Sequence, residues 1–309
     1  MEPKTRALTS GSKLRVGVAG AGVFGANHAR KLAMQDGAAL IGILDRDLAR
    51  AQELAATFGA KGYDELEALL ADVDALVIAT PALAHAEIAR VALGAAKHCL
   101  VEKPLATNHA DALDLCALAQ DKGVVLQVGH QERYVFKAMG LLDLKARPTH
   151  LSAARLGPPS PRGADVSVTF DLMVHDIDLA RLVFGSEPVS VRAKLLAGSK
   201  DKADAMEAEL VFACGGTAHL VASRAAQARD RHMRLIYDSG EVAVDFIAKT
   251  FKDGPNFGLH ADFATRIPDA MAAATHDFLA AIRGEIPVTI SGPDGAAAVK
   301  IAQAIDQAV

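Results

Sequence analysis

Leu14-Arg15-Val16-Gly17-Val18-Ala19 runs without a break into Gly20-Ala21-Gly22-Val23-Phe24-Gly25, and the residues that follow, to about Met34, suit a helix. An apolar strand, a GxGxxG turn and a helix in that order form the entrance to a dinucleotide-binding βαβ unit. Gly20 permits the tight turn out of the strand, Gly22 lets the backbone approach a pyrophosphate, and Gly25 lets the helix pack closely on the strand. Val23 and Phe24 open that helix, where unpaired N–H groups can point at phosphate oxygens. A second apolar run, Ala39–Leu44, ends in Asp45. That is about 20 residues past the last glycine, where a carboxylate can accept hydrogen bonds from ribose hydroxyls. Asp45 also suits a helix N-cap for the next segment, and the two roles are compatible.

Outward from this unit, strand and helix patterns alternate through residue 128. Further strands are expected at Ala75–Ala79, Cys99–Val101 and Val124–Val128, and helices near Asp47–Phe58, Asp64–Leu70, Ala82–Ala95 and Asn108–Gln120. The strands are apolar throughout, as in a parallel sheet buried on both faces, so residues 1–128 read as a doubly wound α/β domain.

The pattern changes after Gly129. Strands are expected at His150–Leu156, Val189–Leu196, Ala205–Phe212, Thr217–Ser223, Met233–Tyr237 and Val242–Ile247, most without helices between them. Val189, Val191 and Ala193 alternate with Ser190, Arg192 and Lys194, a period of two that argues for an antiparallel sheet with unlike faces. Ser239-Gly240 supplies a hairpin turn, and Gly157–Ala164 reads as a surface loop. Helices are expected at about Phe170–Phe184, Met271–Arg283 and Ala296–Gln307. Residues 129–309 are thus expected to form a substrate-binding and oligomerisation domain, with the C-terminal helix able to pack back on the first.

Bulk properties exclude several classes. The 309 residues are 51% hydrophobic and 23% charged, which describes a globular chain with room for two cores. A net charge of −4 with scattered Lys and Arg offers no stripe for nucleic acid and no membrane-surface helix. Cys99, Cys116 and Cys214 are far apart, without metal-ligand spacing, and no metal is expected. The first dozen residues lack the apolar core of a secretory signal, so the expected compartment is a reducing cytoplasm.

Four stretches carry chemistry: the glycine loop, Ala79-Thr80-Pro81 with His85, Glu102-Lys103-Pro104, and Asp171-Leu172-Met173-Val174-His175. In this order and over nearly the whole chain they resemble the Gfo/Idh/MocA oxidoreductase family. The resemblance implies a Rossmann domain followed by an open, mainly antiparallel sheet. It also implies NAD(P)-dependent oxidation or reduction of a secondary alcohol on a sugar, cyclitol or nucleotide sugar.

Lys103 follows a strand at the carboxyl edge of the expected sheet, where its ammonium can stabilise developing alkoxide charge, or relay a proton if its pKa is lowered. Asp171 and His175 lie four residues apart on one face of the expected helix, and Asp178 extends that face. An imidazole titrating near neutrality can take a hydroxyl proton, and a nearby carboxylate can fix its tautomer or bind substrate. By similarity to the family's lysine, aspartate and histidine, those roles fall to Lys103, Asp171 and His175. Thr80, Pro81, His85 and Glu102 are expected beside the cofactor. Arg133 and Asp178 are candidates for substrate contact, a structural salt bridge at Arg133 being the alternative. The stretches His130-Gln131-Glu132-Arg133 and His175-Asp176-Ile177-Asp178 resemble the nucleotide-sugar dehydrogenases of the family.

Asp45 puts a carboxylate where the 2′-phosphate of NADP would sit, which favours NAD. Arg46 is the guanidinium able to reverse that preference, so NADP stays open. The open face of the C-terminal sheet is expected to join subunits into a dimer or tetramer. The competing reading is a non-catalytic dinucleotide- or sugar-binding regulator on the same fold; a Rossmann methyltransferase is disfavoured by Glu102-Lys103-Pro104 and the long antiparallel half.

Overall fold

A computed structural model describes residues 12–160, 163–199, 202–254 and 257–309. The N-terminal stretch read for a secretory signal lies outside the described residues but for its end, as do two residues of the Gly157–Ala164 loop. The described residues divide into two compact units, the first drawn from 1–106, 110–129 and 271–296, the second from 107–109, 130–270 and 297–309.

The first unit is built on six parallel strands: β1 Leu14–Ala19, β2 Ala38–Leu44, β3 Lys61–Tyr63, β4 Ala75–Ile78, β5 His98–Val101 and β6 Leu126–Val128. Their order is β3-β2-β1-β4-β5-β6. Leu14, Val16 and Val18 of β1 are fully buried, each worth roughly 1.5–3 kcal/mol relative to exposure. Such a strand is stable only with helices on both faces. Chain direction across the sheet reverses between β1 and β4, and ligands of open α/β sheets bind beyond the carboxyl ends of the strands at that point.

The helix Ala270–Ile282 belongs mostly to this first unit: Phe278 and Leu279 join the cluster formed by Leu14, Val16, Val18 and Leu32. The expectation that residues 129–309 form the second domain is therefore corrected for 271–296. An amphipathic helix shows that it has a face to bury, and its sequence does not say in which core.

The second unit carries seven strands: β7 His150–Leu156, β8 Pro188–Ser199, β9 Lys202–Phe212, β10 Thr217–Ser223, β11 Asp230–Tyr237, β12 Gly240–Asp245 and β13 Thr250–Asp253. Their order is β13-β12-β11-β7-β10-β9-β8, antiparallel except for the parallel pair β7–β10. The expected hairpin closes at Tyr237 and Gly240. Alternate residues of β7 and β10 are buried, among them Leu151, Ala153, Leu220 and Ala222, which gives the sheet one core face and one open face. Among the described residues no helix is long and apolar enough to cross a membrane.

Candidate functional site

The glycine loop is forced by its contacts. A Cβ on Gly20, at φ +102°, would lie 2.6 Å from the Ala79 carbonyl oxygen; one on Gly25 would lie 1.7 Å from that of Gly20. A Cβ on Gly22 would meet nothing within 4 Å, so this backbone is open to a ligand's approach. Gly22 is also the N-cap of the helix Val23–Ala33, which has no side-chain cap and no acidic residue in its first turn. That leaves the helix N-terminus suited to an anion.

Asp45 is bound into the same loop. Its Oδ2 accepts the Ala21 N–H at 2.8 Å, and its Oδ1 accepts the Asp47 N–H at 3.1 Å and Arg50 Nη2 at 2.5 Å. Burial alone would raise its pKa, but the hydrogen bonds from Arg50, Ala21 and Asp47 hold it below the usual carboxylate range. The N-cap of the following helix, Leu48–Ala56, is Asp47 rather than Asp45. The guanidinium beside Asp45 likewise belongs to Arg50, whereas Arg46 is exposed. Thr80, next to the loop's contact at Ala79, has a buried hydroxyl with no hydrogen-bond partner among the described residues. The bare Gly22 backbone, the uncapped helix end, the fixed Asp45 carboxylate and this hydroxyl fit a dinucleotide.

Lys103 follows β5 in a half-buried turn braced from two sides. Glu102, 6% exposed, places Oε1 2.7 Å from Nε2 of the fully buried His28 on the helix Val23–Ala33. A Cβ on Gly129 would come 3.0 Å from Glu102 Oε2. The carboxylate expected at the cofactor is thus turned into the first unit, linking the glycine-loop helix to the lysine's turn. Burial would raise the Glu102 pKa, yet the His28 hydrogen bond and the nearby charge of Lys103 bring it below its ordinary value.

His85, at the start of the helix His85–Gly94, is the second brace. Its ring nitrogens lie 2.7 Å from the Pro104 carbonyl oxygen and 3.0 Å from that of Thr80. Burial holds its pKa below the ordinary histidine value, against the pull of those carbonyls. His85 therefore ties the Thr80-Pro81 segment to the lysine turn, and Pro81 precedes the short 3₁₀ turn Ala82–Ala84 that leads into its helix.

In the second unit, Asp171 lies within a π-helical turn, Thr169–Met173, that leads into the helix Val174–Phe184 with His175 in its first turn. Such wide turns recur at functional sites. The Asp171 carboxylate rests against Gly163, where a Cβ would lie 2.2 Å from Oδ2. His175 Nδ1 is 3.7 Å from Glu132 Oε2. Glu132 is in turn gripped by Arg155, Nη1 to Oε1 at 2.8 Å and Nη2 to Oε2 at 2.6 Å. Arg155 also binds Asp176, at 2.8 Å and 3.1 Å. Burial opposes the Arg155 charge, but Asp176 and Glu132 keep its pKa above the usual arginine range; burial pushes the Asp176 carboxyl up even against that guanidinium. Arg133 and Asp178, the candidates for substrate contact, bind each other at 2.6 and 2.7 Å in a buried bidentate pair. The structural salt bridge is the alternative that forms.

Residues 14–130 match the model of an oxidoreductase family with an NAD-binding Rossmann fold, and residues 150–243 match a GFO/IDH/MocA C-terminal domain. UDP-N-acetylglucosamine 3-dehydrogenase from Acidithiobacillus ferrooxidans is 38% identical over 95% of this chain and 97% of its own. The chain belongs to the Gfo/Idh/MocA oxidoreductase family.

A solved structure of that A. ferrooxidans dehydrogenase aligns with a TM-score of 0.86 at 37% identity, covering 96% of this chain and 98% of the other. Inositol 2-dehydrogenase from Rhizobium meliloti is 29% identical over 96% of this chain and 97% of its own. The WlbA dehydrogenase from Bordetella pertussis, at 21% identity and a TM-score of 0.85 over 96% of this chain and 95% of the other, shares the fold. As a member of this family the chain is an NAD(P)-dependent oxidoreductase acting on CH–OH groups. His28, Arg50, Glu132 and Arg155 escape sequence reasoning. His28, three residues past Gly25, and Glu132, in the motif before Arg133, were visible in the chain, but their partners lie 74 and 23 residues away.

Proposed function

We propose that the protein is an NAD-dependent dehydrogenase that oxidises a secondary hydroxyl of a sugar, cyclitol or nucleotide sugar, with a UDP-amino sugar as the first substrate to test. The cradle of Gly20, Gly22 and Asp45 is the observation that carries this reading, and the full-length similarity to a UDP-N-acetylglucosamine 3-dehydrogenase supports the substrate class. Val23, Phe24 and Gly25 would receive the pyrophosphate at the helix N-terminus, and Asp45 the adenosine ribose.

When bound, the nicotinamide supplies the hydride acceptor. Lys103 donates a hydrogen bond to the reacting oxygen and stabilises its negative charge. His175 removes the hydroxyl proton, and Asp171 orients the substrate or the imidazole. Glu102, His28 and His85 hold the lysine turn in place, and Arg133 with Asp178 fixes the base of the second unit's site by holding two elements together. We place the enzyme in the cytoplasm, as a dimer or tetramer formed through the open face of the β8–β10 region. Steady-state formation of NADH across a panel of inositols, glucose 6-phosphate and UDP-sugars tests the reading. No turnover on any member, together with tight NAD binding, would favour a non-catalytic regulator.

A further inference from the structure

Most guanidinium groups in the second unit are engaged. Arg133, Arg155, Arg181, Arg224, Arg234 and Arg266 each hold a carboxylate. Arg231 is half-buried, yet its side chain makes no ion pair and no hydrogen bond among the described residues. The β11–β7 register sets Arg231 directly opposite Arg155, on the face that carries Met233 and Leu235 opposite Ala153 and Leu151. Like charges so paired across a sheet repel each other.

The carboxylates that would compensate are committed elsewhere. Glu132 and Asp176 are both chelated by Arg155. Asp230, on the opposite face, pairs with His232. Burial, with the positive charges of Arg155 and Arg229, depresses the Arg231 pKa, and Glu132 and Asp176 offset this only in part. Arg231 is therefore a partly desolvated cation in want of an anion. It also adjoins the Arg155–Glu132 pair that lies 3.7 Å from His175, the proposed base.

We propose that Arg231 is the subsite for an anionic oxygen group of the substrate, a phosphate, diphosphate or carboxylate carried by the sugar whose hydroxyl His175 deprotonates. A planar guanidinium pairs with such groups through two parallel, charge-assisted hydrogen bonds, whereas the hydroxyls of a neutral cyclitol accept without compensating its charge. This rests on the dehydrogenase reading above and narrows its substrate class to charged sugars.

The test compares the wild type with Arg231→Met and Arg231→Lys on UDP-N-acetylglucosamine, glucose 6-phosphate, glucuronate and myo-inositol. Of these, the wild type should work best on a charged sugar, and which one names the source of the anion. Arg231→Met should raise KM for it by about 10- to 100-fold, the scale of a charge-assisted hydrogen bond, with kcat within a few fold. Arg231→Lys should recover part of that loss, and NAD affinity should stay unchanged in both variants. Equal loss on charged and neutral substrates, or none, would overturn the assignment. If no sugar is oxidised, the dehydrogenase reading falls, and calorimetric binding of UDP and inorganic pyrophosphate decides Arg231 alone. About tenfold weaker binding in Arg231→Met upholds the subsite; equal binding sinks it.

Discussion

Arg50 Nη2 lies 2.5 Å from Asp45 Oδ1 while the Ala21 amide holds Asp45 Oδ2 at 2.8 Å, so a single carboxylate joins the glycine loop to the helix after β2. In the proposed placement of the cofactor, this pair sets the charge that meets its 2′ position. With Asp45 fixed there, a 2′-phosphate faces a carboxylate at hydrogen-bond range, and NAD should bind more tightly than NADP. Asp45→Ser should shift the preference toward NADP, because it removes the repulsion and frees the Arg50 guanidinium. Asp45→Ser with Arg50→Ala should lose much of that gain, roughly tenfold for one charge-assisted hydrogen bond. Dissociation constants from cofactor fluorescence check this. Tighter NADP binding by the unmodified protein would overturn the NAD assignment.

The turn bearing Lys103 is braced by Glu102 and His85, so the backbone from which its amine projects is held in place. Lys103→Ala should lower kcat by roughly two or more orders of magnitude, as for loss of a donor to developing oxyanion charge, while NAD affinity changes much less. Near-normal turnover in a single-turnover experiment would remove Lys103 from the mechanism.

The buried Glu102–His28 contact has a pH signature. The folded protein holds the Glu102 carboxyl below its ordinary value, so the unfolded chain binds the proton more readily. Its stabilisation is then complete above the unfolded value of about 4.3 and is lost as pH falls through the folded one. Glu102→Gln should be less stable than the wild type at pH 7, with the gap in Tm narrowing as the pH is lowered from 7 through and below the unfolded value of about 4.3. A gap that stays constant across that range would show that the carboxylate's charge contributes nothing to folding.

Much of the first unit was legible because its signals are local. The apolar run Leu14–Ala19 coincides with β1 at both ends, and the glycine loop and Asp45 follow it at motif spacing. β3 leaves no sequence signal because Lys61-Gly62-Tyr63 is too short to show a period, and the helix Glu132–Met139 overlaps the His130–Arg133 motif that masks its start. The π turn at Thr169–Met173 carries no composition signal, since its residues also suit an α-helix. Side-chain partnerships were the least legible layer. Adjacency in sequence points to Arg46, but the chain turns into a helix at Asp47 and brings Arg50 back over Asp45. The Arg155 cluster joins a helix, a strand and a second helix, which no local spacing encodes.

On β9 and β10 the residues between the buried ones are Glu207, Glu209, Val211, His219 and Val221, and β8 sets Arg192 and Lys194 opposite Glu209 and Glu207. His219 Nε2 lies 2.7 Å from Glu207 Oε1, and Val211 is 40% exposed. This face alternates both signs of charge with apolar residues, so a second copy related by a twofold axis can meet each charge with its opposite. Light scattering at micromolar protein should give at least twice the 32.3 kDa chain mass. Val211→Glu with Val221→Glu should shift the protein toward monomer by placing unpaired carboxylates in the contact. A monomeric wild type at that concentration, or a double variant with unchanged mass, would show that this face does not join subunits.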